Sequence, residues 1–553
     1  MTQRFATHEV FNQTPPLEDV NLFLSDGPLR SAVSRGLGSA ANETPAGTAL
    51  EALAAFGAVA GGAEAAEWAR QANAITPVLE THDARGNRCD RVLFHPAYHN
   101  LMGASFAHGV HRLDEETDSP HVMRAAKLYL AAQMEAGHCC PLTMTNAAMP
   151  VLAREPELAA LWGIKAAATE YDPSFQPATA KSSVTLGMGM TEKQGGSDVR
   201  ANTTVAEPEG RRGSGQAYRI TGHKWFMSAP MSDAFLVLAQ AQGGLTCFLM
   251  PRFTPDGAVN SIHFQRLKAK LGNRSNASSE VEFLGAYGMA IGDEGEGTRV
   301  IIDMVTLTRL DCAVSSAALM RQALSHAIHH ARHRTAFQKK LIDQPLMTHV
   351  LAALALDVEA AVALVFRLAR AFDTPGEEFS HAWRRLMTPI VKYWICKSAP
   401  PFVAEAMECL GGNGYVETGP LARIYREVPV NSIWEGSGNI MALDVVRVLR
   451  REPELAQCLL EEARPRSKRL ELIALRDKLA TLLGDAANLE ANARTLCEGF
   501  ALYGAASLLE RGASAAVADG FSRARLSRDH AGTYGTARLA DPRAIIESAG
   551  SSP

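Results

Sequence analysis

Three short stretches bring together residue types that could do chemistry. In Asn431-Ser432-Ile433-Trp434-Glu435-Gly436-Ser437-Gly438-Asn439 an acid stands beside bulky apolar neighbours, ahead of a Gly/Ser turn leading into the helical run IMALDVVRVLRR. A carboxylate deprived of water has a raised pKa and is a stronger base, which makes Glu435 a candidate general base. The plainer reading is a surface acid near a helix start, held by the helix dipole. The stretch from Gly189 to Asp198, GMTEKQGGSD, offers backbone N–H groups and hydroxyls that suit a planar polar ligand or a diphosphate. It equally suits a Gly-rich turn between strands. Gly411-Gly412-Asn413-Gly414 allows close approach of a second backbone or a cofactor, or simply ends a helix and turns the chain.

These stretches must be held by a chain of 553 residues, long enough for three or four domains at roughly 150 residues each. Lys and Arg number 55 against 59 Asp and Glu, a net charge of −4, which excludes a polybasic protein but leaves room for local basic patches. Apolar residues at 47% and charged residues at 21% exclude wholesale disorder. Nine scattered cysteines form no C-x-x-C pair, which argues against a disulfide framework or zinc site and for a reducing, cytoplasmic setting. The N-terminus MTQRFATHEVFNQ lacks the apolar core of a secretory signal. The uncharged stretch from Ala52 to Ala63 falls well short of the ~20 residues that span a bilayer, so no membrane association is expected.

Along the chain, helical spacing from about Leu50 to Ala168 gives way near Ser182 to short alternating runs such as AYRITGHKWFM, AFLVLAQ and SEVEFL, which read as antiparallel strands. After Gly292–Gly297 the helical pattern returns and lasts to about Arg451; Pro453 and Pro465 interrupt it, and helix resumes toward Arg528. The last 20 or so residues read as irregular. The order is therefore α, β, α, then an additional α region.

The three stretches together resemble the acyl-CoA dehydrogenase family. GMTEKQGGSD matches the family's G-[LIVM]-[ST]-E-x-x-[GSAN]-G-[ST]-D signature at every position. The run from Glu408 through GGNGY to Arg423 and Glu427 matches its second signature, except that Thr418 stands where an acid or Asn is usual. IWEGSGN is similar to the segment that carries the family's catalytic glutamate, and Lys270-Leu271-Gly272-Asn273-Arg274 and Arg334-x-x-Phe337 followed by Gln344 fall in family order. The pieces VFNQTPPLEDVNLFLSD, GHKWFMS, KLGNRSNASSEVEF and YREVPVNSIWEGSGNIM narrow the resemblance to the AidB branch, the adaptive-response flavoproteins of bacteria, over nearly the whole chain.

This resemblance implies an α+β fold of acyl-CoA dehydrogenase type. It comprises an N-terminal extension and α-helical domain (1–181), a middle antiparallel β domain (182–290), a C-terminal four-helix bundle (291–451) and an extra C-terminal helical region (452–553). It implies FAD as cofactor. Met190, Thr191, Gly196 and Ser197 are then expected along the flavin ring and its ribityl side, and Phe226, Met227 and Ser228 in the slot beside the ring. Phe226 replaces the usual Trp, keeping an aromatic face and losing the indole N–H. Arg334, Phe337, Gln344, Glu408, Gly411 and Gly412 fall where the family clamps the adenosine half, partly from a neighbouring subunit, and Ser437 and Asn439 at the diphosphate end. A shared site implies a homo-oligomer, a tetramer built as a dimer of dimers. Glu435 falls in the slot of the base that removes the α-proton of an acyl thioester while the flavin accepts hydride from the β-carbon. The alternative slot, used by isovaleryl-type members, is occupied by Thr308 beside Arg309, and a threonine cannot serve.

The appendage after Glu452 departs from an ordinary dehydrogenase, and in the AidB branch it is associated with double-stranded DNA. From Glu452 to the end, 13 Lys and Arg face 14 Asp and Glu, so the region is not basic overall. Its bases cluster as Arg464, Arg466, Lys468 and Arg469 and as Arg523, Arg525 and Arg528, which are candidate phosphate contacts or else one solvated helix face. No recognition-helix motif is present, so duplex binding would be sequence-independent. Two signals are declined. Gly36-Leu37-Gly38-Ser39-Ala40-Ala41 fits a loose dinucleotide pattern but follows no strand. His326, His329, His330 and His333 share a helical face, yet no carboxylate or thiol completes a metal set.

Two functions follow. The first is a DNA-binding flavoprotein that protects DNA from alkylation and turns over acyl-CoAs weakly at most. The alternative is a metabolic dehydrogenase of a short or branched acyl-CoA that carries extra helices.

Overall fold

The computed structural model describes residues 9–38, 44–114, 117–464, 469–527 and 532–550. Helices fill the first third. Asp26 caps α1 (Gly27–Leu37) by accepting the Leu29 N–H at 2.9 Å. α2 (Thr44–Ala60) and α3 (Ala63–Ala74) follow. A hairpin then breaks the helical order, β1 (Val78–His82) pairing with β2 (Arg88–Leu93). Its signal was in the sequence as a period-two alternation around Asp83-Ala84-Arg85-Gly86-Asn87, with Asp83 accepting the Arg85 and Asn87 N–H groups and Gly86 at φ +82°. The hairpin is stapled to the β domain, since Arg88 donates to the Phe264 carbonyl at 3.0 Å and Asp90 accepts the Phe264 N–H at 3.1 Å. Then come α4 (Pro96–Ala107), α5 (Pro120–Met134), α6 (Cys139–Leu152) and α7 (Pro156–Ala166), three of them opened by proline, whose missing N–H costs nothing in a first turn.

The middle of the chain is a seven-stranded sheet of β3 (Leu186–Gly189), β4 (Val205–Pro208), β5 (Ala217–Ser228), β6 (Ala234–Ala241), β7 (Gly244–Pro251), β8 (Ile262–Leu267) and β9 (Ser278–Ile291). The order is β3-β6-β4-β5-β9-β7, with β8 also on β9, and a β6–β7 pairing closes the circuit. Most ladders are antiparallel as the alternation predicts, but β3 and β4 join β6 in parallel. The long β5–β9 ladder sets Ser228 opposite Ser278.

α8 (Gly297–His333) is 37 residues long and runs the length of the bundle. A hairpin, β10 (Thr335–Ala336) and β11 (Lys339–Lys340), leads into α9 (Pro345–Asp373). α9 is long and apolar enough to cross a bilayer, yet 83% of its most apolar window is buried inside the bundle. After α10 (Ser380–Ala382) and a π-helical turn (Trp383–Met387) come α11 (Thr388–Glu408), α12 (Gly412–Tyr415), α13 (Pro420–Asn431) and α14 (Gly438–Arg451).

The C-terminal region contributes α15 (Glu454–Glu462), α16 (Leu470–Gly484), α17 (Ala493–Gly512), α18 (Ala515–Phe521) and α19 (Pro542–Ser548), the last within the stretch read as irregular. α17 and α19 both lie on α9, α17 also touches α11 and α14, and their apolar side chains join the core of the bundle and the N-terminal helices. Arg525 forks onto Asp357 of α9 at 2.8 and 2.6 Å, and Tyr534 donates to the same carboxylate at 2.9 Å. Arg321 of α8 donates to the Ala549 carbonyl and pairs with Asp26 at 3.2 Å, which joins both ends of the chain to one helix.

Candidate active site

Glu435 lies in the tight turn between α13 and α14, at φ +58°, followed by Gly436 at +109°. Left-handed backbone is costly for a residue with a Cβ and persists only where its surroundings hold it. Lys392 of α11, almost fully buried, donates to the carbonyls on either side, Trp434 at 2.8 Å and Gly436 at 2.5 Å. Arg309 donates to the carbonyl of Glu435 at 3.1 Å while its other arm pairs with Asp444 at 2.7 Å. The Thr308 hydroxyl donates to the Glu435 carboxylate at 2.8 Å. Burial pushes the Glu435 carboxyl above its ordinary range, against the opposing pull of Thr308, Arg309 and Lys392. The apolar neighbours in sequence are not the cause, because Ile433 is 65% exposed and Trp434 turns its indole N–H to Asn431.

On the β-domain side, the loop from Met190 to Asp198 is built around Glu192. This carboxylate is buried, pairs with buried Lys224 at 2.8 Å, and accepts from the Thr203 and Thr204 N–H groups at 2.7 and 3.2 Å. Burial alone would raise its pKa, but Lys224 and those donors hold it well below the usual carboxylate range. The loop turns tightly, as a Cβ on Gly196 would sit 2.7 Å from the Thr191 hydroxyl. Thr191 and Met190 are half-buried and Ser197 is exposed. At the end of β5, Phe226 leaves half of its ring exposed and Ser228 is half-buried, its hydroxyl 2.9 Å from that of Ser278. Met227 differs from expectation. Strand alternation sends its side chain into the β-domain core, fully buried, so it supports the slot from behind and does not line it.

An exposed aromatic face and a loop of small residues and hydroxyls on the β domain suit a planar heterocycle, and the N-terminus of α14, where Ser437 makes no side-chain capping bond, suits a phosphate. Asn439 is already engaged, its side-chain oxygen accepting from Arg494 of α17 at 2.8 Å, so the C-terminal region reaches into this end of the site.

The expected adenosine clamp forms a second group. Arg334 follows α8 and donates to the Asn12 carbonyl at 2.5 Å, while Asn12 brackets Thr335 with two further hydrogen bonds. Phe337 sits at the β10–β11 tip at φ +50° and is 94% exposed. Gln344 donates to the Ala336 carbonyl at 3.1 Å. Glu408, Gly411 (φ +58°) and Gly412 are exposed at the end of α11. Arg309 and Arg334 are separated by 25 residues of α8, about 37 Å of helix, so one chain does not bring both groups to one ligand. The histidines set aside as metal ligands instead secure the N-terminal segment: His330 meets Thr14 at 2.9 Å and His329 meets the Pro15 carbonyl at 2.9 Å.

A cleft of about 1810 Å³ runs past Ser197 and Arg309, between α6, α7, the start of α8 and α14. Arg112, Arg200, Arg299, Arg384, Arg385 and Arg451 line it. The arginine pairs Arg384-Arg385 and Arg450-Arg451 were visible in the sequence; their gathering around one cleft was not. Of the basic clusters proposed from sequence, Arg466, Lys468 and Arg528 lie outside the described residues. Arg464 and Arg523 are exposed, whereas Arg469 is paired with Glu510 and Asp519 and Arg525 is turned inward onto Asp357. The second cluster therefore does not form one outward face, because a buried aspartate takes one of its charges.

Three family models match in succession: the adaptive response protein AidB N-terminal domain over residues 12–173, the acyl-CoA dehydrogenase middle domain over 187–285 and the acyl-CoA dehydrogenase C-terminal domain over 295–450. The AidB protein of Escherichia coli (strain K12) is 52% identical over 452 residues, 81% of each chain. The crystal structure of Caenorhabditis elegans ACDH-11 in complex with C11-CoA superposes with a TM-score of 0.84 at 26% identity, over 99% of this chain and 94% of that one. The Bacillus anthracis acyl-CoA dehydrogenase complexed with FAD shares the fold at a TM-score of 0.65 and 15% identity, over 91% of this chain and 87% of that one.

Proposed function

The chain belongs to the acyl-CoA dehydrogenase family, in its AidB branch, and from that premise we propose an FAD flavoprotein with an acyl-CoA cleft, Glu435 as base and a surface for duplex DNA. The cofactor is FAD, held at Thr191, Gly196, Ser197, Phe226, Ser228 and Ser437. It supplies the hydride acceptor. The chain's own part is to place a carboxylate over the acyl α-carbon and to keep water away from it. The Thr308 hydroxyl fixes one carboxylate oxygen, Lys392 and Arg309 fix the backbone, and burial raises the proton affinity. The α-proton passes to Glu435 as hydride leaves the β-carbon, giving the α,β-double bond. The observation that carries this reading is the Thr308–Glu435 contact, which joins the two positions a base could occupy and leaves one carboxylate between them.

The anaerobic protein mixed with a panel of acyl-CoAs is expected to lose its oxidised flavin absorbance, and Glu435→Gln to slow this by a factor of about 10²–10⁴. Bleaching with no acyl chain length would sink the dehydrogenase reading. Arg334 and Phe337 supply the adenosine half of a partner subunit's site, which makes the protein a homo-oligomer, a tetramer of paired dimers, in the cytoplasm.

The DNA part of this proposal, binding in the alkylation response with weak acyl-CoA turnover, is favoured by the arginines around the cleft. They provide the local positive field that the near-neutral total conceals. A titration with duplex DNA at low salt tests it, and absence of binding there would overturn it.

A further inference from the structure

Lys270 lies in the connection between β8 and β9, which is pinned from two sides. The Asn273 side chain and N–H donate to Glu427 at 2.7 and 2.5 Å, and Ser275 donates to Glu135 at 2.9 Å. A Cβ on Gly272 would fall 2.1 Å from the Arg426 carbonyl, so the loop backbone is pressed against α13. On this rigid base the Lys270 ammonium donates to the Asn276 carbonyl at 2.7 Å and to the Ser278 hydroxyl at 3.2 Å. Ser278 in turn meets Ser228 at 2.9 Å. The nearest acids, Glu427 and Glu135, act on Lys270 only at a distance. Burial lowers its pKa to about 8, so it keeps its charge at neutral pH.

We propose that Lys270 is a positioning residue for the redox step: through Ser278 it orients the Ser228 hydroxyl toward the flavin edge, and its charge stabilises the negative charge that arrives there with the hydride. This rests on the reading of the side of the β domain that carries Thr191 and Ser228 as the flavin site. When FAD is bound, the substrate would give up a proton to Glu435 and a hydride with its electron pair to the cofactor, which would gain one negative charge that a nearby cation favours. A lysine already held by hydroxyl and carbonyl acceptors responds without reorganising.

The test is the oxidised-to-reduced equilibrium of the FAD-bound protein, poised against a dye of known potential. Lys270→Met is expected to shift it toward the oxidised form about tenfold, ~30 mV for a two-electron couple. Lys270→Arg is expected to restore most of that shift. An unchanged equilibrium in Lys270→Met with full FAD content overturns the proposal. Should Lys270→Met fail to fold or to hold FAD, Ser278→Ala decides: it breaks the relay and leaves the charge, and an equilibrium identical to the parent's overturns the proposal. Purified parent protein with no flavin absorbance and no FAD uptake would instead overturn the flavin reading itself.

Discussion

Glu435 adopts a conformation that a side-chain-bearing residue avoids, and two helices restrain it there, α11 through Lys392 and α8 through Arg309 and Thr308. The turn thereby aims a carboxylate that could not otherwise hold one direction. Thr308 matters twice, as an orienting donor and as the group that most opposes the burial-raised pKa. Replacing it by valine should raise the Glu435 pKa further. A general base works only when ionised, so the acid limb of the rate of flavin reduction should move to higher pH in Thr308→Val, with the high-pH plateau less affected. An unmoved limb would show that the hydrogen bond does not reach the ionisation. The proposed base was legible in IWEGSGN. Its partner was not, because 127 residues separate Thr308 from Glu435 and nothing in local spacing links them. The same limit explains Met227, whose alternation is readable only after the strand's inward face is known.

Among the elements, the α–β–α order was plain from periodicity, and the β1–β2 hairpin was missed because a short alternating run was read within a helical stretch. The C-terminal helices carry the larger lesson. Their amphipathic sequence announces helices but not what they lie on, and they lie on α9, α11 and α14 in a shared core. Arg525 is the element-level fastening. Its removal would leave Asp357 charged among apolar neighbours, with Tyr534 as a donor. Arg525→Met should therefore cost about 3–5 kcal/mol in denaturant unfolding. A loss near that of an exposed arginine would mean the pair is not buried in solution. Because these helices complete the core, point substitutions such as this one are cleaner probes of the region than its deletion.

For the molecule as a whole, charge is distributed by depth. A net charge of −4 says little when arginines gather around one cleft. Arg200 and Arg451 are exposed on that cleft. Changing each to glutamine should lower the slope of log affinity for duplex DNA against log salt by roughly 0.9 per charge, if the cleft is where phosphates lie. Identical slopes would move the DNA surface elsewhere. Acidic groups hidden between the chain's ends give a second signature. Burial raises Glu359, which accepts from Ser548 of α19, to about 7. The folded state then holds a proton that the unfolded chain releases, so this group's stabilising contribution is present at low pH and lost as pH rises toward neutrality. Glu359→Gln should melt increasingly above the parent as pH rises from about 5 to 8, and a constant difference would refute the linkage. The tail itself carries a temporal consequence. Arg321 meets Asp26 near one terminus and the Ala549 carbonyl near the other. The first contact can form early in synthesis, and the second must wait until residue 549 has left the ribosome. The docking of α19 onto α9 therefore follows the packing of the helices before it, and nascent chains stalled before residue 542 should remain open to proteolysis at α9, a helix that is mostly buried in the folded protein.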